Sequence, residues 1–124
     1  MSHTPMTNVS LDALPKELKL RKNCEQADTK TLLGYLTHQA YMLRRITVEV
    51  LLTRKEEEIL DFAIASCSDK NFKLRRMGAL IIGEFTIHSS ARYADVVVLL
   101  QKLASTDSSL RVRAEAMRAS EQIS

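Results

Sequence analysis

A chain of 124 residues with 45% hydrophobic and 27% charged residues has the make-up of one folded domain, not of a disordered tail or a membrane span. The net charge of +3 comes from residues 1–54, where eight basic residues stand against five acidic ones, while the remainder holds ten of each. An excess this small and diffuse gives no warrant for nucleic-acid binding and at most favours acidic protein surfaces. Cys24 and Cys67 lack the CxxC or His/Cys spacing of zinc and redox sites.

With three Gly, two Pro and no Trp, the chain has few breakers, which favours helices. "MSHTPMTNVSLDALPKEL" has no basic start followed by a long apolar segment, so no secretory signal is visible and a cytoplasmic location is the default. Residues 1–28 read as a tail with one or two short capping helices. Leu32, Leu33 and Leu36 mark a further helix, His38 a corner, and "MLRRITVEVLL" at 42–52 the helix after it. In "TRKE", Thr53 and Glu56 have the spacing of a capping box. Glu56, Glu57 and Glu58 would complement the dipole of the helix they open.

That helix carries Leu60, Ala63, Ile64 and Cys67 on one face. Asp69 then makes a corner and Asn71 caps the next helix. "TIHSSARY" at 86–93 reads as a polar connection in which Ser89 or Ser90 caps the following helix and Tyr93 packs on a neighbour. A binding loop built on His88, Arg92 and Tyr93 is the alternative. "VVVLL" at 96–100 is rich in β-branched residues, yet its flanks carry it past strand length, and Val96, Leu99, Leu100 and Leu103 share a helical face. Asp107 and Ser109 repeat the corner and the cap before a last helix.

Residues 69–85 align with residues 107–123 at a spacing of 38: Asp69 meets Asp107, Leu74 meets Val112, Arg75 meets Arg113 and Phe85 meets Ile123. The Leu-Arg-Arg at 43–45 makes a third, shorter copy with His38 in the place of the aspartate. A helix pair of this kind cannot bury its apolar face alone, so three stacked pairs and a cap are near the minimum. The pattern of corner Asp, apolar-Arg pair, small mid-helix residues and closing apolar residue resembles the second helix of HEAT repeats, above all the phycobilisome-lyase type. The resemblance covers residues 29–124. It implies an all-α fold, a short right-handed α-solenoid of about three HEAT-like hairpins behind N-terminal cap helices.

The paired arginines divide by direction, since neighbours on a helix point about 100° apart. The resemblance implies that Arg44, Arg75 and Arg113 form a structural ladder with Asp69 and Asp107, a task that suits a bidentate guanidinium. Arg45 and Arg76 lie one position on, followed four residues later by Glu49 and Leu80. In the last copy the same two places hold Ala114 and Arg118. Arg45, Glu49, Arg76, Leu80 and Arg118 are therefore expected to line the concave face and to bind a partner protein, arginine beside exposed apolar surface being enriched at interfaces. A merely solvated charged face is the alternative reading of the same row.

His3, His38 and His88 are scattered, and no nucleophile, phosphate-loop or metal-helix motif occurs. The expectation is a protein-interaction module without catalytic residues, cofactor or metal, binding neither nucleic acid nor membrane. A lyase-like enzyme or chaperone and a nucleic-acid-processing protein are the alternatives among proteins of similar repeats. An immunity or adaptor role is a further possibility drawn by analogy.

Overall fold

A computed structural model describes residues 15–85 and 92–123. Among them are seven α-helices and no strand: α1 (Lys16–Gln26), α2 (Thr29–Tyr35), α3 (Tyr41–Arg54), α4 (Glu57–Ser66), α5 (Phe72–Glu84), α6 (Tyr93–Thr106) and α7 (Leu110–Ile123). The valine-rich run lies inside α6, where length and flanking residues override the strand preference of its β-branched side chains. The described residues fall into two compact units that divide between Leu51 and Leu52, inside α3.

In the first unit, Asp28 caps α2 by accepting the Thr31 N–H at 2.7 Å. Cys24, Leu32, Leu36, Ile46 and Leu51 are buried. Thr47 is fully buried within α3, and its hydroxyl donates to the Leu43 carbonyl one turn back at 2.6 Å. This bond explains how a polar side chain is accommodated there.

In the second unit, α5 packs against both α4 and α7, and α6 packs against α7. The buried apolar set includes Ile59, Leu60, Ala63 and Cys67 of the α4 segment, Ala79, Ile81 and Ile82 of α5, Val96, Leu100 and Leu103 of α6, and Val112, Ala116, Ala119 and Ile123 of α7. Ile64 and Leu99, expected on the same faces, are only half-buried. Each large aliphatic side chain wholly removed from water contributes about 1.5–3 kcal/mol. Two glycines set how closely the helices meet. A Cβ added at Gly78 would stand 2.5 Å from the Ala63 carbonyl oxygen of α4, and one at Gly83 would stand 3.0 Å from the Ala119 backbone of α7.

The capping box between Thr53 and Glu56 is not formed. Thr53 is still helical, α3 continues to Arg54, and the chain turns at Lys55 through a left-handed φ of 51°. Glu56 becomes the N-cap of α4 and makes no side-chain capping bond, while Glu57 and Glu58 occupy the first turn. The proposed caps Ser89 and Ser90, and His88, lie outside the described residues, as does His3.

Candidate functional site

Three corners share one hydrogen-bond pattern. The Asn71 N–H donates to Asp69 Oδ1 at 2.8 Å, the Ser109 N–H to Asp107 Oδ1 at 2.9 Å, and the Ala40 N–H to His38 Nδ1 at 2.9 Å. An arginine six residues after each corner closes it from the other side. Arg75 Nη1 donates to the Asp69 carbonyl at 2.9 Å, Arg113 Nη1 to the Asp107 carbonyl at 2.7 Å, and Arg44 Nη1 to the His38 carbonyl at 2.6 Å. The helix that follows is capped by Asn71, whose side chain accepts the Lys73 N–H, and by Ser109, whose hydroxyl accepts the Val112 N–H.

Within the second unit one arginine links two corners. Arg75 Nε and Nη2 donate to Asp107 Oδ2 and Oδ1 at 2.8 and 3.1 Å, a bidentate pair between side chains only 15% and 6% exposed. The Arg75 guanidinium, helped by the Ser109 N–H, holds the Asp107 carboxyl below its usual range. Cys67 meets the opposite condition. Burial, reinforced by the negative charge of Asp107, pushes its thiol up to about 12 and keeps it protonated at neutral pH.

The second set of expected residues forms two charge clusters, one in each unit. In the first, Arg45 pairs with Glu49 at 3.0 Å and with Glu17 of α1, and Glu49 also pairs with Arg21 of α1. The Arg21 guanidinium, followed by that of Arg45, lowers the Glu49 carboxyl from its ordinary value. In the second unit, Arg76 and Arg118 approach the same carboxylate from α5 and α7: Glu115, 9% exposed, lies 3.7 Å from Arg76 Nε and 3.2 Å from Arg118 Nε. Arg118 also reaches Glu84 at 3.4 Å, and Gln122 Nε2 donates to Glu84 at 2.9 Å. Leu80 is half-buried on α5.

Each cluster balances two arginines with two glutamates. Glu17, Arg21, Glu84 and Glu115 were not among the residues singled out from the sequence. The signal was there in the i, i+4 pair Glu17–Arg21 and the i, i+3 pair Glu115–Arg118. Among the described residues no group of three His, Cys, Asp or Glu side chains could hold a metal ion. No helix among them is long and apolar enough to cross a membrane.

A groove of about 290 Å³ lies on the α6–α7 pair, lined mainly by Tyr93, Val97, Gln101, Met117, Ser120 and Glu121. Tyr93 anchors one end through its hydroxyl, which donates to the Ile123 carbonyl at 2.9 Å. Arg92, just before α6, pairs with Asp61 and Glu57 of α4.

These features define an all-α protein in which the connections at His38, Asp69 and Asp107 are each closed by an acceptor and an arginine, and in which each unit carries a balanced charge cluster. No family model matches the chain. It is 31% identical over 107 residues to Protein YibA of Escherichia coli strain K12, a match that spans 86% of this chain and 38% of that protein, and equally to YibA of E. coli O157:H7. The X-ray structure of E. coli YibA superposes with a TM-score of 0.78 at 30% identity, covering 89% of this chain and 40% of that one. The chain thus shares its fold with part of YibA and spans about two fifths of that protein's length.

Proposed function

We propose that α4–α5 and α6–α7 are HEAT-like hairpins of the α-solenoid kind, with α2–α3 as a degenerate third, and that the chain is a non-catalytic module that binds another protein. The binding surface is the face of α5 and α7 that bears Arg76, Leu80 and Arg118, the concave face of the proposed solenoid, with Arg45 and Glu49 at the matching places of α3. The observation that carries this reading is the convergence of Arg76 and Arg118, from two helices, on the nearly buried Glu115. A carboxylate shared by two half-exposed guanidiniums holds them in place, so their remaining donors are pre-organised for a partner at low entropic cost. Leu80, half-buried on α5, supplies apolar contact. The balanced charges favour a partner of mixed polarity over a strongly acidic one.

Purification of the tagged protein from its native cell with mass spectrometry would name the partner, and calorimetric titration would then test the face. Alanine at Arg76 or Arg118 is expected to keep the melting temperature and to weaken the complex by more than about 1 kcal/mol at one of the two positions. Leu80→Glu is expected to abolish binding. A folded Leu80→Glu protein that binds as tightly as the wild type overturns the assignment of this face.

A further inference from the structure

The helices α5 and α7 both open against their own dipoles. Acidic side chains are favoured in a first turn and basic ones are not, and α4 and α6 obey this with Glu57 and Glu58 and with Asp95. The first turns of α5 and α7 hold no acidic residue. Each begins instead with a large apolar side chain in water, Phe72 at 38% and Leu110 at 71% exposed, followed by an exposed cation, Lys73 or Arg111. The two pairs stand 38 residues apart, at matching places of the repeat. Lys70, Lys73 and Arg111 make no side-chain hydrogen bond or ion pair among the described residues, whereas Arg75, Arg76, Arg113 and Arg118 of the same two helices all do. An apolar side chain left in water and a cation at the wrong helix end recur together, and such a breach of local preference marks a place with another task.

The Arg75 guanidinium shows that the two openings lie side by side. It donates to the Asp69 and Lys70 carbonyls at 2.9 and 3.0 Å and to the Asp107 carboxylate at 2.8 Å, so one planar group spans both turns from which Phe72 and Leu110 emerge. The two apolar side chains therefore share one edge of the second unit, with a cation next to each in the chain.

We propose that this edge docks a short acidic segment of a partner protein, whose large apolar side chain rests between Phe72 and Leu110 while its carboxylates pair with Lys73 on one side and Arg111 on the other. Charge complementarity selects the occupant. Three unengaged cations, two positive dipole ends and no acid in either first turn require negative charge, and the apolar pair requires a side chain that leaves water with it. Packed helices lie about 8–10 Å apart, the span of about three extended residues, which sets the separation of the carboxylates. The edge fits a membrane or a nucleic acid less well, since it has too little apolar area for the one and too short a run of cations for the other. Arg76, Leu80 and Arg118 take no part, so the inference does not rest on the face proposed above.

The probe is a library of random peptides displayed on phage and selected on the full chain, with the enriched peptides then synthesised and titrated into the isotope-labelled protein by NMR. Enrichment of Asp or Glu around Phe, Leu or Trp is expected, with saturable shifts at Phe72, Lys73, Leu110 and Arg111. Lys73→Glu combined with Arg111→Glu should weaken binding by about tenfold or more while keeping or raising the melting temperature, because acids suit these first turns. Leu110→Ser, at an exposed position, should weaken it with every charge in place. A merely solvated edge would show the change in stability alone. The proposal is overturned if no peptide is enriched, if the enriched peptides lack the acidic and apolar pattern, if the double variant binds them equally well, or if the edge responds to anionic vesicles and not to the peptides.

Discussion

Arg75 and Asp107, 32 residues apart in sequence, form a nearly buried bidentate pair through Nε and Nη2, while the same guanidinium closes the corner at Asp69 through Nη1. One side chain thus holds two turns in a fixed relation. Removing its carboxylate partner leaves the shielded cation with only the corner carbonyls and the more distant Asp69 charge for compensation.

Asp107→Ala is therefore expected to destabilise the protein by about 1–3 kcal/mol, since it deletes a charge-assisted pair and the acceptor for the Ser109 N–H together. The effect has a definite pH dependence. The folded-state carboxyl titrates below its unfolded value, so its contribution is complete above the ordinary aspartate range, near about 3.9, and is lost as pH falls through the folded value. Urea midpoints of wild type and Asp107→Asn, compared from neutral pH into acid, should differ most above the ordinary aspartate range and converge as pH falls through the lowered folded-state value.

The glycines predict opposite signs for one substitution. Gly78→Ala drives a methyl to 2.5 Å from the Ala63 carbonyl and should cost about 1–3 kcal/mol as α5 is pushed off α4. Gly34, exposed on α2, has nothing within 4 Å of an added Cβ and no positive φ, so Gly34→Ala should stabilise by about 0.4–1 kcal/mol. Thermal unfolding of the two variants checks both signs.

Lys55 holds a left-handed backbone, φ 51°, directly after α3, the place that glycine fills at many helix ends. Lys55→Gly is expected to stabilise by up to about 1 kcal/mol, the relief of Cβ crowding being partly offset by the greater freedom of unfolded glycine. A denaturant midpoint that moves down would show that the lysine makes a compensating contact.

Both thiols should be inert in the native state. Cys24 and Cys67 are 1% and 3% exposed, and burial pushes Cys67 up to about 12. Labelling with a thiol-disulfide reagent at neutral pH is expected to follow the rate of unfolding, rising with added urea to two thiols per chain. Rapid labelling of either cysteine without denaturant would contradict the packing.

The corners were the most legible part of the sequence because each has a short-range pattern, an acceptor followed by an arginine at six, whose part at the corner was implied by the resemblance to HEAT repeats. Even His38 could be assigned its place from register alone. The break between α3 and α4 was not legible in this way. Thr53 and Glu56 match a capping box as well as many real ones do, and only the left-handed turn at Lys55, which lysine does not advertise, moves the boundary past them. The charge clusters were half legible. Register against the earlier copy placed Arg76 and Arg118 in one patch on the expected concave face, but it carries no information on reach between helices, so Glu115, the acid they share, went unnoticed on the edge of the core. The same blindness hid Glu17 and Arg21 of α1 behind the reading of that segment as a plain cap.

The corner at His38 uses an imidazole nitrogen where the other two use a carboxylate oxygen, and the bond it makes to the backbone two residues on has the same length to within 0.1 Å. What the turn requires is a lone pair at a fixed reach, not a negative charge. Such a chain can drift in charge one corner at a time while every turn stays closed. Its ancestry is then preserved in the spacing of acceptors and arginines long after the identity of the residues has been lost.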